Sequence, residues 1–248
     1  MKDILTSFTE IINGVAVLID PDKMNSHQKL LSLIEKCEEA LIDYFFIGGS
    51  TVKKTDFENV MNFIKSNTSI PVVIFPGSNN QISEQANAML YLSLLSGRNP
   101  DYLIGLHVQS VEEIHQKNIE VIPTAYLLID GGTNSSVAYV SQTTPIPRTQ
   151  VSIARKTSMA GKFQGKKVIY LDAGSGARFS VPPVMIEEVS KLELPLIIGG
   201  GIKSINQINQ IHKSGAHIVV IGNHIENDLS FLEEIKKYKT RSKNQEVL

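Results

Sequence analysis

Short, near-continuous apolar runs recur along this chain, and each is followed by a segment whose apolar residues return every third or fourth position. The runs are Val15–Asp20, Tyr44–Gly49, Pro71–Gly77, Tyr102–His107, Val121–Ile129, Lys167–Asp172, Pro195–Gly200 and Ile218–Gly222. Most lack polar alternation, which predicts strands buried on both faces of a parallel sheet. Between the runs, Leu30, Leu31, Ile34, Cys37 and Leu41 fall at helical spacing behind Ser26 as N-cap. Thr55 with Glu58, Ser110 with Glu113 and Ser204 with Gln207 carry helix-start chemistry. Phe57, Val60, Met61 and Ile64, and later Ile205, Ile208 and Ile211, supply apolar stripes.

Eight strand signals alternating with helices predict a (β/α)8 TIM barrel rather than an open sheet. The 248 residues suit one such domain, with a flexible basic tail at about 239–248. The third unit is the weakest, because Gln81 to Ser96 reads only loosely as a helix beside the polar corner Gly77-Ser78-Asn79-Asn80. The largest interruption is Asp130 to Thr149, rich in Gly, Ser, Thr and Asn. It reads as a loop over the active site or as a surface insertion.

Composition narrows the function classes. A formal net charge of −1 argues against a nucleic-acid binder, which needs a sizeable basic patch. Positive charge gathers only at Lys236, Lys237, Lys239, Arg241 and Lys243, which read as a solvated end, with contact to anionic lipid as the lesser reading. The single cysteine, Cys37, builds neither a disulfide framework nor a zinc site and reads as a small buried residue. There is no signal-peptide pattern and no apolar window of about 18 residues, so a soluble cytoplasmic protein is expected.

The chemistry of a TIM barrel sits just past the C-terminal ends of its strands. That filter selects Asp20 and Asp22, Gly48 to Ser50, Gly77 and Ser78, His107, Asp130, Asp172 to Gly176, Gly199 to Gly201, and Gly222 with Asn223. Glycine corners let successive backbone N–H groups turn toward an anion, and the helix N-terminus at Ser204 adds its dipole. Together they predict a phosphate site. Asp20-Pro21-Asp22-Lys23, with the Ser50 hydroxyl, offers oxygen ligands suited to Mg²⁺, although an ordinary Asp-Pro turn accounts for that motif taken alone. Among the histidines, His107 reads as a hydrogen-bonded rim residue, and His212, His217 and His224 as surface positions.

Leu18-Ile19-Asp20-Pro21-Asp22-Lys23, Gly48-Gly49-Ser50, Tyr170-Leu171-Asp172-Ala173-Gly174-Ser175-Gly176-Ala177, Gly199-Gly200-Gly201-Ile202 and Gly222-Asn223 together resemble the geranylgeranylglyceryl phosphate synthase family. Its bacterial members include heptaprenylglyceryl phosphate synthases. The motifs occur in order over essentially the whole chain, and the run from Tyr170 to Ala177 is the most specific of them.

The resemblance implies a prenyltransferase that joins a polyprenyl diphosphate to sn-glycerol 1-phosphate, using Mg²⁺ and releasing diphosphate. Carried over by motif, Asp22 and Ser50 would bind Mg²⁺. Tyr170, Leu171, Asp172, Ala173, Gly174, Ser175, Gly176, Gly200, Gly201, Gly222 and Asn223 would hold sn-glycerol 1-phosphate. Asp172 stands where many family members carry Glu, and it would act as the base. Tyr126 resembles a family tyrosine placed near the reacting carbon. Phe75, Met89, Leu92, Tyr102, Leu103 and Ile104 are groove candidates for the prenyl chain. By family analogy Tyr102, near the start of the fourth strand, would limit the groove to a C20 rather than a C35 donor. A homo-oligomer and peripheral contact with a membrane surface are further expectations. Two other readings share the phosphate corners. One is a phosphosugar isomerase or flavin-binding barrel, with Asp20 and Asp130 as an acid–base pair. The other is a barrel that binds phosphate or lipid without turnover.

Overall fold

The computed structural model describes residues 3–24 and 26–245. Eight parallel strands close into a barrel in chain order, the eighth pairing back on the first. They are β1 (Gly14–Ile19), β2 (Tyr44–Ile47), β3 (Val72–Ile74), β4 (Ala88–Leu94), β5 (Glu120–Leu128), β6 (Val168–Asp172), β7 (Leu196–Gly199) and β8 (Ile218–Ile221). The outer elements are α2 (His27–Glu39), α3 (Lys54–Asn67), α4 (Leu106–Lys117), α6 (Val151–Phe163), α7 (Pro183–Ser190), α8 (Ile205–Lys213), α9 (Asn223–Asn227) and α10 (Phe231–Gln245). The short α1 (Ile4–Glu10) precedes the barrel, and α5 (Ser136–Ser141) lies in the connection after β5.

The unbroken apolar runs have a simple cause: both faces of each strand are buried, against different partners. Ala16, Phe46, Val73, Leu90, Leu128 and Ile197 fill the barrel interior. Their chain neighbours Val15, Val17, Phe45, Val72, Leu127 and Ile198 pack outward against the helices. The buried Phe8 of α1 meets Tyr44 edge to face at 5.0 Å and Phe46 at 6.1 Å, placing α1 with the interior cluster. Two free amides of its first turn, Ile4 and Leu5, donate to the Glu120 carboxylate at 2.7 and 2.9 Å.

The fourth strand lies elsewhere than expected. It is Ala88–Leu94, paired to β3 through Val73↔Ala88 and to β5 through Ala88↔Glu120 up to Leu94↔Tyr126. Tyr102–His107 is instead helical: a π turn over Asp101–Gly105 runs into α4. The segment from Met89 to Ser93 places Leu90 and Leu92 inside and Tyr91 and Ser93 outside, so its outer face is half polar and reads weakly as a buried strand. The helix signal sits just upstream of Tyr102, where Pro100 precedes the π turn and Asn99 Oδ1 accepts from the Asp101 amide at 3.0 Å. The third unit therefore has no helix between its strands.

Local capping was legible in part. Ser26 and Ser204 cap α2 and α8, accepting from the Lys29 and Gln207 amides, and Gln207 Oε1 accepts from the Lys203 amide. Thr55 and Glu58 form no capping box: α3 starts at Lys54, and Glu58 accepts from the Ser83 hydroxyl at 3.1 Å. Ser110 lies inside α4, its hydroxyl donating back to the Leu106 carbonyl.

The basic end is also not a free tail over its described part. Residues 239–245 continue α10, and Lys239 is buried in an ion pair with Asp43, whose carboxylate accepts from the Val15 amide at 2.7 Å. Asp43 immediately precedes β2, so this contact lies at the N-terminal face of the barrel. The side chain of Lys243 falls outside the described residues. His212 is buried as well, with Nδ1 on the Tyr238 hydroxyl at 2.9 Å and Nε2 on the Gly14 carbonyl at 3.1 Å. His217 is half-buried and accepts from the Leu196 amide, while His224 packs edge to face on Phe231 at 4.6 Å. Cys37 is fully buried, as expected.

Candidate active site

A cavity of about 370 Å³ opens at the C-terminal ends of the strands, lined by residues of Asp20–Lys23, Gly48–Thr51, Phe75–Gly77, Asp172–Ala177, Gly200–Lys203 and Gly222–Asn227. Most of the corners selected from sequence thus meet around one space. The fold brings them there because the parallel strands point the same way, so each strand end contributes its following residues to one rim.

At its centre stands Asp172, the last residue of β6 and nearly fully buried. One carboxylate oxygen accepts from the Tyr126 hydroxyl at 2.6 Å, and the other accepts from the Gly174 amide at 2.7 Å. Burial raises the Asp172 pKa, and the two hydrogen bonds oppose that rise. Burial and the facing carboxylate push Tyr126 and Tyr170 well above the ordinary phenol range, so both remain protonated and Tyr126 is the donor. Phe75 stacks on Tyr170 at 5.1 Å and meets Tyr126 edge-on at 5.7 Å, giving the carboxylate an aromatic floor.

Around this floor the glycine corners are required by shape. Gly200 has φ +82, and a side chain there would come within 2.8 Å of Asp172 Oδ1 and 2.7 Å of the Gly174 nitrogen. Gly176 has φ +71, with only Asn223 Nδ2 near the position a Cβ would take, at 3.6 Å. Asn223 Oδ1 accepts from the Ser175 hydroxyl and from Lys23 Nζ, both at 3.1 Å, and Lys23 also reaches Glu226 at 2.8 Å. This network ties the corner after β8 to those after β1 and β6.

The acidic corner divides. Asp20 and Ser50 line the cavity, whereas Asp22 is exposed and accepts from the Thr51 hydroxyl at 2.8 Å. A side chain at Gly49 would come within 2.7 Å of Asp20 Oδ1, so glycine leaves that carboxylate its room. Burial raises the Asp20 pKa, offset in part by Lys23. Among the described residues no three His, Cys, Asp or Glu side chains gather as a metal cage. A donor set of one or two carboxylates and a hydroxyl still suits Mg²⁺, which completes its shell with water and substrate phosphate.

A second cavity adjoins the first through Ser50, Pro76, Gly77, Leu92, Tyr126 and Val137, which border both. Its wall includes Met89, Leu90, Leu94, Tyr102, Leu106 and Val140. Of the groove candidates, Met89, Leu92 and Tyr102 line this space, Phe75 lines the first cavity, and Ile104 points to solvent. Tyr102 reaches the wall from the π turn after β4, not from the start of that strand. His107 belongs to this wall, its Nε2 on the Leu92 carbonyl at 2.7 Å.

Asp130 does not border the main cavity, and its carboxylate accepts from the Gly132 amide, so it forms no acid–base pair with Asp20. The connection from Asp130 to Thr149 does fold over the site, as one of its two readings expected: Ser136 and Val137 of α5 line the main cavity. Those two residues were missed because the chain folds back there by tertiary packing. Lys23 was named within its motif but given no role, and Lys203, two residues past Gly201, was missed.

A model described as the PcrB family matches residues 11–239. The chain belongs to this family. A geranylgeranylglyceryl phosphate synthase of Chitinophaga pinensis is 46% identical over 225 residues, which are 90% of this chain and 89% of the relative. The synthase of Pyrococcus furiosus is 40% identical over 223 residues, 89% of this chain and 88% of that one. Among solved structures, (S)-3-O-geranylgeranylglyceryl phosphate synthase of Thermoplasma acidophilum, in complex with its substrate sn-glycerol-1-phosphate, superposes with a TM-score of 0.89 at 29% identity. It covers 95% of this chain and 96% of its own. The PcrB family chain is thus an enzyme whose relatives are geranylgeranylglyceryl phosphate synthases, and the resemblance read from its motifs holds.

Proposed function

We propose that the enzyme transfers a geranylgeranyl (C20) group from its diphosphate to the 3-hydroxyl of sn-glycerol 1-phosphate, with Mg²⁺, forming an ether and free diphosphate. The observation that carries this reading is Asp172, buried at the junction of a glycine-lined cradle and an aromatic floor. The positive-φ glycines and Ser175 with Asn223 hold the acceptor phosphate, leaving the hydroxyl end aimed at the carboxylate.

In the reaction the acceptor oxygen bonds to the first carbon of the prenyl chain as the bond from that carbon to the diphosphate oxygen breaks. The electron pair leaves with the diphosphate, and the acceptor proton passes to Asp172. Tyr126 fixes the carboxylate, and its ring, with Phe75 and Tyr170, faces the carbon that becomes positive, an interaction of roughly 0.5–2 kcal/mol. Asp20, Asp22 and Ser50 would hold Mg²⁺, which when bound offsets charge on the departing diphosphate. The prenyl chain runs into the second cavity between Met89, Leu92 and Tyr102.

The test is incubation with sn-glycerol 1-phosphate, geranylgeranyl diphosphate and Mg²⁺, with extraction and mass analysis of the ether product. Product formation should stop on chelation of Mg²⁺. It should fall at least about a hundredfold in Asp172→Asn, as expected on removing a positioned base, with thermal stability retained. No ether product from any donor between C15 and C35 would refute the reading.

A further inference from the structure

We propose that Lys203 is the cation that recognises the acceptor's phosphate and positions sn-glycerol 1-phosphate in the glycine cradle. This role deepens the proposed prenyl transfer and rests on it. The charge of the main cavity's wall is the starting observation. Three carboxylates, those of Asp20, Asp172 and Glu226, border the space, and among the described residues its only lysine or arginine side chains are Lys23 and Lys203. A wall with more carboxylates than cations repels a phosphate dianion unless one cation beside it is left uncompensated.

Lys23 is not that cation. Its ammonium lies 2.8 Å from Glu226 and 3.7 Å from Asp20, and it donates to Asn223 Oδ1 at 3.1 Å. Its charge is therefore shared between two carboxylates. Lys203 is the opposite case. It is exposed and borders the same cavity, and its Nζ makes no hydrogen bond or ion pair among the described residues.

The backbone fixes where this lysine stands. Gly200 and Gly201, at φ +82 and +69, turn the chain after β7, and Ile202 is buried. The Lys203 amide donates to Gln207 Oε1 at 2.8 Å, and the Gln207 amide donates to Ser204 Oγ at 3.3 Å. Two amides at the start of α8 are thus satisfied by side chains of α8 and its cap, and Lys203 is the last residue of this corner to border the cavity. Charge for a phosphate on this side comes from the Lys203 side chain rather than from those amides. Position separates acceptor from donor. Lys203 follows β7, whereas Asp20, Asp22 and Ser50, which would hold Mg²⁺ beside the diphosphate, follow β1 and β2, with β8 between the two groups.

The experiment is calorimetric titration of the full chain with sn-glycerol 1-phosphate in the absence of donor, followed by steady-state kinetics with both substrates. The wild-type protein should bind the acceptor alone. Lys203→Met should bind it at least about tenfold more weakly, the size of one charge-assisted hydrogen bond, and Lys203→Arg should keep most of the affinity. Raising salt should weaken the wild-type protein more than Lys203→Met. In turnover the loss should sit in KM for the acceptor rather than in kcat or in KM for the donor. Thermal melting reports that each variant is folded. Equal acceptor affinity in wild type and Lys203→Met overturns the inference, as does a loss that Lys203→Arg does not recover. So does a rise in KM for the prenyl diphosphate in place of the acceptor, which would assign the lysine to the donor. A wild-type protein that does not bind sn-glycerol 1-phosphate at all overturns the proposed transfer together with this inference, whereas wild-type binding that Lys203→Met leaves unchanged removes Lys203 alone.

Discussion

Asp172 meets two opposed conditions: the interior resists its charge, while its hydrogen bonds from Tyr126 and Gly174 favour it. A base raised in this way is better matched to accept a proton than an exposed aspartate. Gly200 protects the arrangement by shape. Gly200→Ala should cost about 1–3 kcal/mol of backbone strain and press a methyl group on Asp172 and Gly174. KM for sn-glycerol 1-phosphate should then rise at least about tenfold, roughly 1.4 kcal/mol, in steady-state kinetics. Gly165 is the control, because it has φ +84 but nothing within 4 Å of a Cβ. Gly165→Ala should share the strain and keep the kinetics.

Among elements, the missing third helix has the largest consequence. With irregular chain from Phe75 to Asn87 in its place, Pro76, Gly77, Ser78 and Asn79 border the second cavity beside the turn that carries Tyr102. Tyr102→Ala should lengthen the space for the chain end. In a competition between heptaprenyl and geranylgeranyl diphosphates, the product ratio should shift toward the longer chain by at least about tenfold, which a few newly buried methylenes supply. An unchanged ratio would remove Tyr102 from the control of chain length. The fourth strand was misplaced because two neighbouring segments carry apolar runs, and pairing with β3 and β5 selects between them.

At the scale of the whole molecule, the N-terminal face is held by buried polar contacts rather than by chemistry. His212, between Tyr238 and Gly14, is held down at a pKa of about 4, chiefly by burial. The unfolded chain protonates this group near 6.5, so between the two values the unfolded state binds more protons and stability falls as pH falls. The full effect approaches about 3 kcal/mol at pH 4. Melting temperature should therefore drop between pH 6.5 and pH 4, and His212→Gln should flatten that slope. An identical slope in the variant would show that other groups set the acid limit. The same face anchors α10 through Lys239 and Asp43, leaving the catalytic face to carry the mobile partners of the reaction.

The sequence alone determined the barrel, because apolar runs alternating with helical stripes have few ways to be buried, even though one of the eight runs, Tyr102–His107, is helical. It also determined the glycine corners around the cavity, because glycine at strand ends reports backbone geometry directly, and the place of Asp172, because it ends a strand within a specific motif. Tertiary structure decided what depends on partners distant in the chain. It chose Ala88–Leu94 as the fourth strand through pairing on both sides. It folded Ser136 and Val137 over the cavity, set Asp20 in the cavity wall with Asp22 exposed beside it, and buried Lys239 of the basic end and His212 of α8, both of which read as solvent positions. In each case the local pattern allowed more than one placement, and the free energy of burying or pairing that residue against the whole molecule selected one.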